Sequence, residues 1–376
     1  MIPLFKVHLP ESVDAPLLAT LHSGMIGQGP RVEEFEARLK DWLKTPYVLT
    51  VNTGTSALQL ALRLANVGQG DSVVSTPMTC TASNMPILAQ GASITWADIN
   101  PKTGEIDAAS VTKNISHMTK AVMAVSWGGY PCDLEALDRL CEERGLSLIQ
   151  DNAHALGARY HDRDCATLSR FACCSFQAIK HLTTIDGGML VCRDEADYKR
   201  GKLLRWYGID REDKRLDARI ENDIPEFGYK WHMNDVAATI GLEQLKYIDG
   251  IIARHRENAA YYDEQFWRRD LFRAEPLQYA KDRLSSYWLY TILVDDPVGF
   301  RQHMENYGVQ TSPAHKRNDK HSCFADAARG PLPGVDEFAS HEMCIPVGWW
   351  LTDGDRKHIM DAIEEWDYVE DRESER

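Results

Sequence analysis

Between Tyr47 and Cys192, short apolar runs alternate with helical stretches, and this alternation limits what the chain can become. Strand-like runs fall at 47–52, 71–76, 93–98, 121–125, 147–151, 171–175 and 188–192. Helical stretches fall at 56–66, 81–89, 106–113 and 134–144. Parallel strands need a crossover between them, usually a helix, so the pattern predicts an α/β fold with a mostly parallel sheet flanked by helices. Active groups in such folds gather beyond the carboxyl ends of the strands. Ahead of the sheet, Val32, Phe35, Leu39 and Leu43 mark an amphipathic helix over 31–44, preceded by a strap and a short helix. After about residue 250 a long helix at 251–266 leads into a strand at 287–294 and helices at 301–307 and 353–366. The expected division is a large domain at 1–250 and a smaller C-terminal α+β domain at 251–376.

Composition narrows the function classes. Hydrophobic residues make up 44% and charged ones 26%, as in soluble globular proteins. No run of eighteen apolar residues occurs, so no membrane span is expected. The segment from Met1 to His8 is too short and polar for a signal peptide. Nine scattered cysteines have no metal-ligand spacing, and an odd count fits a reducing cytoplasm. Cys173 and Cys174 are adjacent and should point to opposite faces of a strand. The net charge of −14 argues against general nucleic-acid binding and leaves room for an anionic substrate met by a local basic cluster. The charged, patternless stretch at 211–227 reads as an exposed loop and 367–376 as a frayed end.

The stretch from Ser175 to Gly188 follows the sixth strand-like run. Most lysines are solvated surface charges. Lys180 instead closes an apolar run, with Ser175 upstream to meet a phosphate and Thr-Thr-Ile-Asp-Gly-Gly turning into the next strand. A lysine held in such a turn is desolvated, which lowers its pKa and leaves the neutral amine that Schiff-base chemistry needs. This points to Lys180 as the carrier of pyridoxal 5'-phosphate (PLP). The other reading is a structural lysine in a β-turn.

Two further stretches bear on that choice. Asp151 ends the run at 147–151, where it can keep the pyridine nitrogen of PLP protonated so that the ring acts as an electron sink. His154 then falls near the ring or its phenolic oxygen. Taken singly, Asp151 also reads as a helix N-cap and His154 as a core histidine. Where the run at 47–52 ends, Thr53 and Gly54 turn into a helix rich in Ala and Leu. Its first N–H groups form an anion site to which Thr55 and Ser56 add hydroxyls, or else an ordinary N-cap.

In this order, Gly54-Thr55-Ser56-Ala57-Leu58, the Asp151 to Gly157 segment and the Ser175 to Gly188 segment resemble the DegT/StrS sugar aminotransferases. Gly27 to Glu36 is similar to the family's opening segment, and Gly228 to Leu245 to its later helix. The resemblance implies a fold-type I PLP enzyme. It implies that Lys180 binds PLP and carries protons, and that Asp151 holds the pyridine. It implies a homodimer with shared sites, in which Thr55, Ser56 and Ser175, with Lys230 or Asn234 of the second subunit, hold the phosphate. The implied reaction moves an amino group, by family likeness from glutamate, onto a keto-sugar, by the same likeness a nucleotide-linked one. The loop from Ser126 to Pro131, with Tyr130, resembles the family's substrate-side loop, with a plain turn as the other reading. The basic loop from Ser312 to His321, with His315 and Arg317, could neutralise a diphosphate or be a solvated charge run. One departure stands out: Cys80 occupies the place where the family has an aromatic residue stacked on PLP. Some relatives carry His in place of the lysine and dehydrate sugars. Lys180 favours the transaminase over such a PLP-dependent dehydratase, although His181 is adjacent. Intact Lys180 and Asp151 also argue against a non-enzymatic PLP-binding regulator.

Overall fold

The structure, a computed structural model, describes residues 1–211, 223–328 and 330–369. Most of the loop expected at 211–227 and most of the end expected at 367–376 lie outside the described residues. The alternating runs form β1 (Val48–Val51), β2 (Ser72–Ser75), β3 (Ser93–Trp96), β4 (Thr119–Val125), β5 (Ser147–Asp151), β6 (Phe171–Ser175) and β7 (Gly188–Cys192). They lie in one sheet in the order β1-β7-β6-β5-β4-β2-β3. Only β7 runs against the rest. Helices cover both faces, which is why these strands are near-continuous apolar runs rather than alternating ones. Adjacent cysteines show the two faces directly. Cys173 packs with Leu49, Ile149 and Phe171, whereas Cys174 packs with Phe35, Phe176 and Met189. Each fully buried Leu or Ile contributes about 1.5–3 kcal/mol relative to exposure.

The connecting helices begin and end where local chemistry dictates. Thr53 Oγ1 accepts from Ser56 N at 3.0 Å and starts the helix Gly54–Leu64. Asp133 accepts from Ala136 N to start Leu134–Arg144, and Gly145, at φ 64°, ends it.

A second sheet holds β8 (Ala274–Pro276), β9 (Tyr290–Val294) and β10 (Glu342–Ile345), antiparallel and in that order. The long helix Ile248–Arg269 is common to both units. Its Ile248 and Ile252 pack beneath β6 and β7, and its Ala259, Tyr262 and Phe266 pack against β9. The N-terminal strap also joins the second unit, since Ile2 bridges Val309. Phe324, Val335 and Phe338 reach back to pack with Trp96 of β3 and with Trp127 in the turn after β4. No helix among the described residues is long and apolar enough to cross a membrane.

Candidate active site

A cavity of about 320 Å³ opens at the carboxyl edge of the large sheet. Its walls come from the ends of β1, β2, β4, β5 and β6, and from Trp288 and His315 of the second unit. Gly188 pairs with Val51 on one side and Ser175 on the other, which sets the turn after β1 beside the start of the Lys180 loop. A Cβ on Gly54 would stand 2.8 Å from the Ser175 Cβ, so this approach requires glycine. The helix that begins at Gly54 presents its N-terminus to the cavity, and Thr55 and Ser175 border it. First-turn N–H groups and two hydroxyls make this an anion-binding end.

Asp151 also lines the cavity and is buried. Its Oδ2 accepts from Ser83 Oγ at 2.6 Å and its Oδ1 from Ala153 N at 3.1 Å. Burial raises its pKa above the ordinary carboxylate range, against the pull of those two bonds and of Lys180. Lys180 faces the cavity and is half-buried. Burial lowers its pKa from 10.5 to about 7, while Asp151 and Cys80 act in the opposite direction. The Nζ lies 3.4 Å from the centroid of the Trp288 ring. His154 stacks on the same ring at 4.0 Å and lies near-parallel to His315 at 5.6 Å. Burial, and after it the Lys180 charge, hold His154 well below its usual pKa and bring His315 down to about 4, so both rings are neutral. His154 Nδ1 and His315 Nε2 are buried without a hydrogen-bond partner. The cavity therefore combines a readily deprotonated amine, a buried carboxylate, two neutral imidazoles and an anion-binding end.

Residues 9–364 match the DegT/DnrJ/EryC1/StrS aminotransferase family. The chain belongs to this family. The sheet order and the added smaller unit are the fold-type I architecture that the resemblance implied. The sugar aminotransferase CalS13 from Micromonospora echinospora is 39% identical to this DegT/StrS chain, with a TM-score of 0.92 over 97% of this chain and 100% of that one. Spr1654 from Streptococcus pneumoniae, solved in its PLP form, is 26% identical, with a TM-score of 0.88 over 96% of this chain and 97% of that one. The dTDP-4-dehydro-2,3,6-trideoxy-D-glucose 4-aminotransferase of Saccharopolyspora spinosa is 28% identical over 374 residues, covering 96% of each chain.

In this DegT/StrS aminotransferase the expected residues divide into two groups. Thr55, Asp151, His154, Ser175, Lys180 and His315 all line the cavity, as does Cys80. Ser56, Tyr130 and Arg317 do not. The Ser56 Oγ donates to Asn52 Oδ1 at 2.7 Å and accepts from Thr53 Oγ1 at 3.0 Å, so its hydroxyl serves the turn. Tyr130 is buried, with its ring stacked on Tyr279 at 4.1 Å and its hydroxyl accepting from Ala280 N. The cause is the Gly128-Gly129 turn, whose carbonyls accept from Leu289 N and Ser286 N and join this loop to the second unit. Arg317 is neutralised by Asp319 at 2.8 Å and by Asp336. Lys230 and Asn234 are exposed and lie outside this cavity, and Asn234 caps the helix Asp235–Gln244 by accepting from Ala237 N. His181 points away from the cavity, its ring against His255 at 4.5 Å.

Ser83 and Trp288, which contact Asp151 and Lys180, have no role in the sequence reading. Ser83 sits one turn after Thr79, and the two hydroxyls lie 2.7 Å apart. A serine in the first turn of a helix that follows a strand was the available signal. Trp288 lies within the run at 287–294, which reads only as a strand.

Proposed function

We propose that this chain transfers an amino group from glutamate to the ketone of a nucleotide-linked sugar. The observation that carries the reading is Lys180, an amine with a pKa of about 7, sharing a cavity with buried Asp151. The residues present fit pyridoxal phosphate. Asp151 is a buried carboxylate in need of a cationic partner, which a protonated ring nitrogen supplies. His154 Nδ1 is an unpartnered nitrogen of the same cavity. Thr55, Ser175 and the first N–H groups of the helix at Gly54 suit a phosphate. When bound, pyridoxal phosphate supplies the electron sink that makes an amino-acid α-proton removable.

The chain's own groups do the rest. Ser83 Oγ and Ala153 N favour the anionic form of Asp151 against the cost of its burial. Lys180 Nζ, half neutral near pH 7, takes the proton from the donor's α-carbon and returns it where the acceptor chemistry requires. Trp288 and His315 close the side of the cavity toward the second unit and exclude water there. The nucleotide-linked substrate draws support from the S. spinosa relative, whose name states such a sugar.

Incubation with nitrogen-labelled glutamate and a panel of nucleotide-linked keto-sugars tests the reading by mass spectrometry. The expected result is label on one sugar and an equal amount of 2-oxoglutarate. Loss of water from the sugar without transfer of label would overturn it.

The active unit in this reading is a homodimer whose sites are shared. Lys230 and Asn234 are exposed on the surface next to the turn after β1, where Asn52 Nδ2 reaches Lys230 O at 3.4 Å. From there they are proposed to reach the partner's phosphate site. Mixing a Lys180→Ala chain with a chain altered at both Lys230 and Asn234 should restore one competent site per mixed dimer, about a quarter of wild-type activity after random exchange. No recovery after verified subunit exchange would show that each chain builds its own site.

A further inference from the structure

Trp288 is 5% exposed and comes from the second unit, yet it contacts Lys180 and the residue before it. Its ring lies over Nζ at 3.4 Å, and its Nε1–H donates to the carbonyl of Ile179, the residue before the lysine, at 2.9 Å. The backbone that delivers it is strained. Tyr287, just before it, has φ 51°, a left-handed value that an aromatic residue rarely adopts. Such a conformation persists only when its surroundings over-determine it. Here Gly129 O accepts from Ser286 N at 3.0 Å, Gly128 O accepts from Leu289 N at 3.0 Å, and Tyr287 O accepts from His255 Nδ1–H at 2.7 Å. The N-terminal strap adds a further support. Phe5 stacks on the indole at 5.0 Å and 24°, and the strap is anchored by Ile2 N to Gly308 O at 2.7 Å and Leu4 N to Gln310 Oε1 at 3.1 Å.

We propose that Trp288 is a positioning residue for Lys180: an indole plate, clamped by the Gly128-Gly129 turn and by Phe5, that aims the ε-amine and keeps water from it. This deepens the aminotransferase reading and rests on it. The plate explains how a lysine at the mouth of an open cavity is desolvated, since one side of the amine is covered by ring carbon rather than by water. A ring face also attracts an ammonium, which opposes that effect, and the direction in which a Trp288 substitution moves the amine's titration decides between the two. The other groups facing the amine are Asp151 and Cys80, which favour its charged form, and His154 and His315, whose own charges are suppressed beside it.

Competitive acetylation of the cofactor-free protein, with the Lys180 peptide quantified by mass spectrometry over a pH series, reads the titration of this one amine without using activity. The wild-type midpoint is expected near pH 7. In Trp288→Leu the midpoint should rise by about one pH unit, and labelling at neutral pH should fall about fivefold. Trp288→Phe keeps a plate and should stay close to wild type. If Trp288→Leu does not fold, Phe5→Ala, which removes support from the indole, is read in the same way and should give a smaller rise. A folded Trp288→Leu or Phe5→Ala chain with the wild-type midpoint would overturn the proposal and leave Trp288 a packing residue. Failure of the aminotransferase reading looks different: a wild-type chain that takes up no pyridoxal phosphate, whatever the midpoints.

Discussion

Lys180→Ala is expected to lower amino transfer by about 10⁴-fold or more while leaving the fold intact. In the proposed reaction the lysine has two tasks, anchoring the cofactor and moving a proton, and no neighbour can take over either. With a pKa of about 7, roughly half of its amine is neutral at neutral pH, against about one part in 10³ for an exposed lysine. The candidates nearby fail for stated reasons. His181 faces His255 on the other side of the loop. His154 stacks on Trp288, and a neutral imidazole offers no primary amine. Truncation enlarges a cavity that already exists, and the Lys180 amine makes no hydrogen bond to any described residue, so the melting temperature should stay within a few degrees of wild type. A Lys180→Ala chain within tenfold of wild-type turnover would remove the lysine from the reaction.

Asp151→Asn should reduce turnover by about 10²–10³-fold with little change in stability. Asparagine keeps the shape and can still accept from Ala153 N through its amide oxygen, at the position where Asp151 Oδ1 accepts now. It loses the charge that keeps the ring nitrogen protonated, and that charge acts in a dry site where it is worth most. Stability should hold or rise slightly, because a desolvated carboxylate is replaced by a neutral group. Thermal unfolding and steady-state turnover measured on the same preparation separate the two effects. Near-normal turnover would reduce Asp151 to a structural cap.

The fold was legible because strand length and helical period are local properties. The helices expected at 81–89 and 134–144 are the observed Thr81–Ala89 and Leu134–Arg144, and all seven strands of the large sheet fall within a few residues of their expected places. Thr55, Asp151, His154, Ser175 and Lys180 were readable for a related reason. Each lies at or shortly after the end of a strand, and the mostly parallel sheet brings those ends together. The misplacements are tertiary. Arg317 looked like a free cation because Asp336, one of the two acids that neutralise it, lies nineteen residues on. Tyr130 looked like a loop residue because nothing local shows that the carbonyls of Gly128 and Gly129 are bonded to the 286–289 segment. Trp288 went unassigned because its partner Ile179 is 109 residues away, and a strand pattern carries no sign of which side chain reaches another unit's loop.

The cofactor's attachment point is the most direct check on all of this. Holoenzyme reduced with borohydride, digested and mapped by mass spectrometry should carry its phosphopyridoxyl group on the Lys180 peptide, with none on the Lys180→Ala chain. A reduced adduct on any other lysine, or none on a protein that catalyses the transfer, would contradict the site described above.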